Sequence, residues 1–452
     1  MVFSSITFLC VFLPIVIASY GMTKDIKIKN ALLIIASILF YAYGEPVYVL
    51  LMLLCSYINY FMALQIEKNK TKFKLVVTLI ADLGILCIFK YLGMLISTIN
   101  ILPGVNIPEP GITLPVGISF FTFQALSYVV DVYMNRVNAE KSFFNILLYI
   151  SFFPQLIAGP IVKYHDIDEE IKERSTDIND ISEGLQRFII GLSKKVLIAN
   201  TLGQTADYVY GLQYDRLSAG LVWIGAISYM LQIYFDFSGY SDMAIGLGRM
   251  FGFHFKENFD YPYTAKSIQD FWRRWHISLT NWFREYVYIP LGGNRKGKTR
   301  TWINRLFVFF LTGLWHGANW TFILWGLYHG LFLTLETLFP KLSKKLGWLS
   351  RVYVLVVVCV GFVLFRSDSV SQAFTMIGIM FTGFSMNAAQ LSSFSSVFTI
   401  LFIITLIVSI IASAGIVHIK NMWTYAVTAG LLILCMVSLA GSTYNPFIYY
   451  RF

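Results

Sequence analysis

Charged side chains are scarce in this chain. Asp, Glu, Lys and Arg make up only 13% of its 452 residues, whereas 57% of the residues are hydrophobic. Soluble proteins carry roughly 25% charged residues, so this composition excludes an ordinary soluble protein. Apolar runs long enough to cross a bilayer recur from one end of the chain to the other. We therefore predict an all-α, polytopic membrane protein.

Cysteine is also sparse, and its spacing carries no motif. The five cysteines, at positions 10, 55, 87, 359 and 435, stand singly in apolar segments. No two of them have the spacing of a metal-binding or redox motif, so we interpret them as packing residues and expect no metal site. The sequence also lacks an internal repeat and a low-complexity tract.

The apolar runs predict the membrane segments. We expect crossing helices near residues 3–20, 31–43, 47–66, 75–95, 113–134, 185–210, 219–234, 349–366, 397–417 and 421–441. Shorter or more polar embedded pieces are expected near residues 143–160, 236–252, 267–291 and 303–338. In all we expect about eleven to thirteen membrane segments, including re-entrant and interfacial helices, in a single membrane domain, residues 1–452. The first segment lacks the basic start and small-residue exit of a signal peptide, so we expect it to be retained.

The net charge of +10 is explained by membrane topology. Lys and Arg collect in alternate loops, and the connections between those loops are nearly free of charge. By the positive-inside rule the basic loops are cytoplasmic and the N-terminus lies outside the cell membrane. The basic residues form no contiguous soluble patch, which argues against nucleic acid as a partner. The basic loops lie near residues 24–29, 68–74, 136–141, 295–300 and 341–351.

One histidine stands in a stretch that is otherwise almost wholly apolar. His316 lies in the run of residues 311–320, with apolar tracts on both sides. An ionisable group at membrane depth is costly and usually faces a cavity or pathway. Imidazole is also the side chain best suited to move a proton near neutral pH. The alternative interpretation is a histidine that is hydrogen-bonded between helices.

The position of His316 also predicts its depth. The segment before it leaves a basic loop that ends at Arg305, and the segment after it returns to a basic loop that starts at Lys341. About eleven helical residues span roughly 16 Å, about half of a ~30 Å hydrocarbon core. A helical hairpin would therefore hold His316 near the membrane midplane. Gly313 and Gly317 on either side allow a break or a close backbone approach.

Aromatic and basic residues are mixed in residues 254–290. The pattern Ser-x-x-Asp at 267–270 resembles a capping box and predicts the start of a helix. On that single helix several tryptophans would share one face, while Arg273 and His276 would lie close together on another. An interfacial anchor explains the mixture of Trp and Arg. A histidine beside Arg273 and Arg274 would also suit an anionic or acyl substrate.

A third polar region is residues 234–242, where Asp236 and Asp242 flank Gly239 at the end of a hydrophobic run. Two interpretations stay open. The region is either a turn at a helix end, with one carboxylate capping the next helix, or a polar wall of a substrate cavity.

With these residues identified, the chain resembles the membrane-bound O-acyltransferase (MBOAT) family, in particular its AlgI-like branch and more distantly its DltB-like branch. The resemblance covers essentially the whole length and rests on the order and spacing of short sequence blocks. The strongest blocks are residues 234–242, 270–280 and 314–320. Further blocks are residues 2–5, 114–124, 153–161 and 445–452.

The resemblance implies a helical bundle around a central funnel in the cell membrane. In it, His316 matches the family's catalytic histidine and His276 its second polar active-site position. The implied activity is O-acetyl transfer with no permanently bound cofactor. Acetyl-CoA on the cytoplasmic side would be the donor and hydroxyl groups of an exported polysaccharide the acceptor. An extracytoplasmic, SGNH-hydrolase-like acetyltransferase would be the partner.

The candidate residues fit that chemistry. His316 could accept the proton that a hydroxyl must lose when it attacks a thioester. His276, Asn319 or backbone N–H groups are candidates to bind the carbonyl oxygen. Arg273 and Arg274 are candidates to bind CoA phosphates. The remaining candidate substrate-binding residues are Trp315, Asp236 and Asp242.

Two other functions compete with this interpretation. The first is DltB-like transfer of D-alanine from a carrier protein to teichoic acid, although residues 318–320 after His316 are closer to the AlgI-like pattern. The second is a transporter or export channel, which would show paired intramembrane charges or repeated halves; the sequence shows neither. Among the other histidines, His329 is interpreted as a packing residue or as one that supports the site residues, and His165, His254 and His418 are assigned no role.

Overall fold

The computed structural model describes residues 1–340, 345–415 and 423–446, in which helices are joined by loops. These residues contain no β-strand, so the predicted all-α fold is confirmed. His418 and Lys341 lie outside the described residues, as do the ends of several predicted segments.

The chain forms two compact units. Unit 1 is Met1–Ile189 with Tyr240–Glu257, and unit 2 is Ile190–Gly239 with Asn258–Phe452. Two helices, α9 (Ile178–Ser193) and α11 (Ala219–Met250), are divided between them. The other helices of unit 1 are α1 (Leu13–Gly21), α2 (Ile26–Ala42), α3 (Tyr48–Lys68), α4 (Lys72–Ile99), α5 (Ile118–Tyr133), α6 (Phe143–Ser151), α7 (Phe153–Leu156) and α8 (Tyr164–Lys172). Those of unit 2 are α10 (Asn200–Gly211), α12 (Ile268–Arg274), α13 (Ile277–Phe283), α14 (Lys298–His316), α15 (Trp320–Leu338), α16 (Leu349–Arg366), α17 (Val370–Thr382), α18 (Ala388–Val397), α19 (Ile400–Ser413) and α20 (Trp423–Gly441).

Several helices are long and apolar enough to cross a membrane. Among the described residues there are five, α3, α4, α11, α16 and α20, or six if α18 and α19, bent by 64°, count as one span. This supports a multi-pass membrane protein. The larger predicted number also included short apolar helices such as Phe8–Gly21 and α5. Sixteen residues rise only about 24 Å, less than a ~30 Å hydrocarbon core.

Helix α11 runs without a break through the region predicted to be a turn. The prediction of a turn at residues 234–242 is therefore wrong, because no helix starts there that an aspartate could cap. Gly239 instead marks a close approach between helices of unit 2. A Cβ added at Gly239 would lie 2.7 Å from the backbone oxygen of Gly191, so a larger residue would force the helices apart.

The aromatic and basic segment of unit 2 forms two short helices and not the single helix predicted. α12 starts as expected, because Ser267 Oγ accepts a hydrogen bond from the backbone N–H of Asp270 at 3.0 Å. It ends at Arg274. The next residue is extended, and His276 adopts φ +45° and ψ +55° before α13 begins. The face on which Arg273 and His276 were predicted to lie together therefore does not exist.

Helices α14 and α15 form the predicted hairpin, and His316 is the last residue of α14. The two backbones are in close contact. A Cβ at Gly313 would lie 2.4 Å from the Phe322 oxygen, and a Cβ at Gly326 would lie 2.2 Å from the Phe309 oxygen. Small residues at such positions are what allow helices in membranes to pack tightly.

Candidate active site

His316 is enclosed by aromatic rings. The residue is 4% exposed. The ring centroids of Trp315, Trp325 and Phe365 lie 4.9, 5.0 and 5.2 Å from that of its imidazole, each in an edge-to-face arrangement. Trp325 belongs to α15 and Phe365 to α16, so three helices contribute to the enclosure. An aromatic enclosure excludes bulk water and strengthens the electrostatic interactions inside it.

His276 lies beside His316 and is also buried, with 1% exposure. The two imidazole centroids are 6.5 Å apart, and Trp315 is in ring contact with both histidines. His276 has a positive φ, which non-glycine residues rarely adopt. Such a conformation persists only where the surroundings hold it, and it is common at functional sites. Folding thus brings together two predicted site residues that are 40 positions apart.

Asn258 holds the strained turn at His276. Its backbone oxygen accepts a hydrogen bond from Ile277 N at 2.9 Å. Its side-chain Oδ1 accepts hydrogen bonds from Ser278 N at 3.2 Å and from Ser278 Oγ at 2.8 Å. His276 Nδ1 lies 3.2 Å from the same Oδ1. No signal in the sequence marked Asn258 as part of the site, because it precedes His276 by 18 residues and belongs to no helix.

These contacts determine which nitrogen of His276 carries the proton. A backbone N–H can only donate, so the Asn258 atom that it meets must be the amide oxygen. That oxygen can only accept, so Nδ1 of His276 must be the N–H donor. In the neutral ring Nε2 then presents a lone pair, and it is buried without a hydrogen-bond partner in the described part of the chain. The expectation that His276 donates to a carbonyl oxygen is therefore corrected: neutral His276 offers an acceptor.

Asn319 is engaged as a helix cap. Its Oδ1 accepts a hydrogen bond from Thr321 N at 3.1 Å, at the start of α15. Its Nδ2 donates to the Asp368 backbone oxygen at 3.0 Å. Each end of the amide has a partner, but the Nδ2 group has a second N–H, so the predicted role of Asn319 at a carbonyl oxygen stays a prediction.

The two neighbouring arginines have different surroundings. Arg274 forms ion pairs with Asp260 and Asp270, both at 3.1 Å. Arg273 is exposed and lines a cavity of about 460 Å³. The same cavity is also lined by Arg284 and Arg305, and by the polar side chains of Gln269, Thr280, Asn281, Tyr288 and Asn294. Of the predicted pair, Arg273 faces a basic cavity, whereas Arg274 stabilises the loop before α12.

A cluster of buried polar rings adjoins this cavity. Trp272 lines the cavity, and its ring centroid is 5.6 Å from that of Trp325 and 5.3 Å from that of His329. The indole nitrogens of both tryptophans and both ring nitrogens of His329 are buried without hydrogen bonds to other described residues. Leaving such a group unpaired costs roughly 1–3 kcal/mol. The cluster therefore suits a ligand that brings hydrogen-bonding groups.

The two aspartates of the 234–242 region are both ion-paired. In unit 2, Asp236 Oδ1 lies 2.8 Å from Lys195 Nζ, and both side chains are 2% exposed. In unit 1, Asp242 pairs with Arg187 at 2.9 Å. Removing one partner of the buried Asp236–Lys195 pair would cost about 3–5 kcal/mol. These ion pairs account for both carboxylates without a substrate, so a polar wall of a cavity stays a prediction.

The site is built for proton transfer beside a basic cavity. Two buried imidazoles lie side by side, and a cavity with three arginines opens on neighbouring helices of the same unit. In the described residues, no group of three or more His, Cys, Asp or Glu side chains is placed to bind a metal ion. Buried imidazoles beside a basic cavity suit proton transfer next to an anionic substrate.

Comparison with known proteins defines which enzyme class this is. The family model for MBOAT, the membrane-bound O-acyltransferase family, matches residues 34–371. The chain belongs to the membrane-bound O-acyltransferase family, and it is an O-acyltransferase.

The relatives show which branch of the family is similar. The chain is 36% identical over 494 aligned residues to a probable alginate O-acetylase AlgI of Pseudomonas putida. This alignment covers 100% of both proteins. It is 35% identical to the peptidoglycan O-acetyltransferase of Helicobacter pylori, over 76% of this chain and 72% of that protein. Identity to the teichoic acid D-alanyltransferase of Bacillus subtilis is 28%, over 55% of this chain and 68% of that protein. The predicted AlgI-like resemblance is confirmed.

Proposed function

We propose that this protein is an O-acetyltransferase that moves an acetyl group from cytoplasmic acetyl-CoA across the membrane towards hydroxyl groups of an exported polysaccharide. The observation that carries the proposal is the pair of buried imidazoles, 6.5 Å apart, in a chain that aligns over its full length with a probable O-acetylase. The proposal includes an extracytoplasmic, SGNH-hydrolase-like acetyltransferase as the partner that passes the acetyl group on.

His316 is the general base of the proposed reaction. It takes the proton of the attacking hydroxyl while the hydroxyl oxygen bonds to the thioester carbonyl carbon. The C–S bond then breaks, and the leaving thiolate takes the proton back from His316. The acetyl group ends on oxygen, the thiol is released, and His316 returns to its neutral form.

The carbonyl oxygen gains negative charge in this step and needs hydrogen-bond donors. Neutral His276 cannot donate from Nε2, because its proton is on Nδ1. We assign the donor role to the indole N–H of Trp325. This N–H is buried without a partner among the described residues, and its ring lies 5.0 Å from that of His316.

The basic cavity suits the phosphates of the donor. Arg273, Arg284 and Arg305 supply three guanidinium groups, which bind phosphate oxygens through paired, charge-assisted hydrogen bonds. Trp272 lines the cavity and contacts Trp325, which in turn contacts the catalytic imidazole. A thioester whose phosphates are held in the cavity would extend along these two tryptophans towards the histidines.

The first prediction concerns the donor. The purified membrane protein should consume acetyl-CoA, slowly by hydrolysis and faster with an acceptor or partner protein, and should leave a D-alanyl carrier protein unchanged. Release of the free CoA thiol and transfer of labelled acetyl measure the reaction. Transfer of D-alanine, or no turnover of any thioester, would contradict the proposed function.

The cavity arginines provide an internal check on the same assay. Arg273→Gln and Arg284→Gln should each raise the KM for acetyl-CoA about tenfold or more, since each removes a hydrogen bond to a charged group that is worth about 1.5–3 kcal/mol. Arg274→Gln is the matched control, because its guanidinium is already paired with Asp260 and Asp270. An equal rise in KM in all three variants would show that the cavity does not bind the donor.

The second prediction concerns topology, for which we propose an external N-terminus and cytoplasmic basic loops. Glu109→Cys should react with a membrane-impermeant maleimide added outside the cell, and Lys70→Cys should not. Both positions are exposed in unit 1, so their reactivity depends on the side of the membrane. The exposed Cys10 and Cys87 are replaced beforehand. The reverse labelling pattern would show that the basic loops lie outside the cell. It would contradict the proposed topology, in which these loops share the cytoplasmic side with acetyl-CoA.

A further inference from the structure

We propose that Asn258, His276 and His316 form a hydrogen-bonded relay in which Asn258 is a positioning residue. His276 donates from Nδ1 to Asn258, and His276 Nε2 accepts a hydrogen bond from an N–H of His316, directly or through one water molecule. The inference rests on the proposed function, because it explains how His316 keeps one nitrogen free of a proton and ready to act as a base.

The first link of the relay, between Asn258 and His276, is held in place by hydrogen bonds to the backbone. Asn258 is 1% exposed and contacts three consecutive residues, accepting at its backbone oxygen from Ile277 N and at Oδ1 from Ser278 N. These bonds hold His276 at its positive φ, and the Ser278 N–H identifies Oδ1 as the oxygen that faces the imidazole. The ring is thereby held in one orientation and in one tautomer.

The second link depends on the distance between the two imidazoles. With hydrogen bonds of about 2.9 Å, two imidazole rings in direct N–H···N contact have centroids roughly 5 Å apart, and rings bridged by one water have centroids roughly 7 Å apart. The observed separation of 6.5 Å lies between these values. Catalytic hydrogen bonds also tighten when substrate binds. A bridging water or a small closure therefore completes the relay.

The tautomer of His276 decides whether the relay helps the base. A general base works best when its second nitrogen donates to a fixed acceptor, which orients the ring and stabilises the imidazolium that forms. Nε2 of His276 supplies that acceptor to His316. In the opposite tautomer, Nε2 would carry a hydrogen and would compete for the lone pair that must receive the hydroxyl proton.

The charged groups on the surrounding elements are already balanced by partners. These charged residues are adjacent in sequence to residues that contact the two histidines, or they lie close to Asn258 in the sequence. The pairs are Arg274 with Asp260 and Asp270, Asp236 with Lys195, Arg366 with Asp207, and Glu257 with Arg187, while Arg273 is exposed at the cavity. A carboxylate introduced in place of the Asn258 amide would therefore be a new, uncompensated charge beside the relay.

Two substitutions at one position test the inference. Asn258→Ala removes the acceptor and should lower the kcat for acetyl-CoA turnover about 100-fold. This is less than the roughly 10⁴-fold loss in hydrolytic triads, where the orienting acceptor is a charged carboxylate and not a neutral amide. The KM should stay within about threefold, because the arginine cavity that binds the donor is unchanged. Asn258→Asp keeps an acceptor oxygen, so it should restore most of the rate and move the rising limb of the pH–rate profile to higher pH.

The control is a second buried asparagine of the same unit. Asn304 is also 1% exposed, and its Nδ2 donates to the Gly293 backbone oxygen at 3.1 Å. Asn304→Ala should reduce protein abundance without moving the pH–rate profile. If both alanine variants lose kcat alike and Asn258→Asp leaves the pH–rate profile unchanged, Asn258 has only a structural role and the inference is wrong.

The tautomer is measured directly, independently of turnover. The chain has six histidines, so the ¹⁵N spectrum of histidine-labelled protein is simple enough to assign, with His276→Gln identifying the signal. The expected form is a neutral ring protonated at Nδ1, and Asn258→Ala should shift it towards the Nε2-protonated form. An Nε2–H tautomer in the wild type would overturn the relay even when acetyl-CoA is consumed. Absence of thioester turnover with the expected tautomer would instead overturn the proposed function.

Discussion

Replacement of His316 with alanine will reduce acetyl transfer at least about a thousandfold, within the range of about 10²–10⁴ that general base catalysis contributes. The imidazole is enclosed by Trp315, Trp325 and Phe365, so no bulk water is in place to accept the proton instead. Transfer of labelled acetyl by equal amounts of purified wild type and variant measures the loss.

The loss of acetyl transfer must be distinguished from an effect of misfolding of the variant protein. His316→Phe retains an aromatic ring in the enclosure, so it should insert into the membrane at wild-type abundance and be equally inactive. His254→Ala, which removes an exposed imidazole in unit 1, should keep wild-type activity. Near-normal acetyl transfer by either His316 variant would show that another group is the base.

Replacement of His276 with alanine will lower kcat about 100-fold and leave acetyl-CoA binding nearly unchanged. The reason is that His276 contacts His316 and Asn258, whereas the donor phosphates are assigned to a cavity lined by other residues. A variant that loses an interaction made only in the transition state loses kcat and not affinity for the substrate. Turnover and equilibrium binding of CoA, measured on the same preparation, separate the two effects.

The same position offers a graded test. His276→Gln places an amide oxygen where it can accept a hydrogen bond, so it should retain more activity than His276→Ala. A parallel fall of CoA affinity and turnover in both variants would assign His276 to the donor site. Greater activity in His276→Ala than in His276→Gln would argue against an acceptor role.

Much of the architecture could be predicted from local patterns. Long apolar runs predict membrane helices because a bilayer admits few other structures, and α16 has the predicted bounds, 349–366. The hairpin with His316 at the end of α14 followed from two apolar segments between basic loops. The start of α12 followed from a capping pattern whose hydrogen bond lies within four residues. Each of these features depends on neighbours in the sequence.

The predictions that proved wrong each depended on residues distant in the chain. Helical periodicity placed His276 on the face of one helix, but four hydrogen-bond contacts from Asn258 hold the chain in a break there. Gly239 lies between two aspartates, a pattern typical of turns, yet it lies inside a helix and packs against Gly191. Arg273 and Arg274 are adjacent in sequence, and only the positions of Asp260 and Asp270 separate their surroundings.

The sequence by itself determined that this chain is a helical membrane protein of the O-acyltransferase family, with a histidine at the end of a glycine-lined hairpin. Hydrophobicity, charge bias and short motifs suffice for that, because they act over a few residues or over whole segments. Only the tertiary structure decided which groups meet. It placed His276 beside His316 and set its tautomer through Asn258, because hydrogen-bond directions are defined only when the donor and the acceptor have both been positioned by folding.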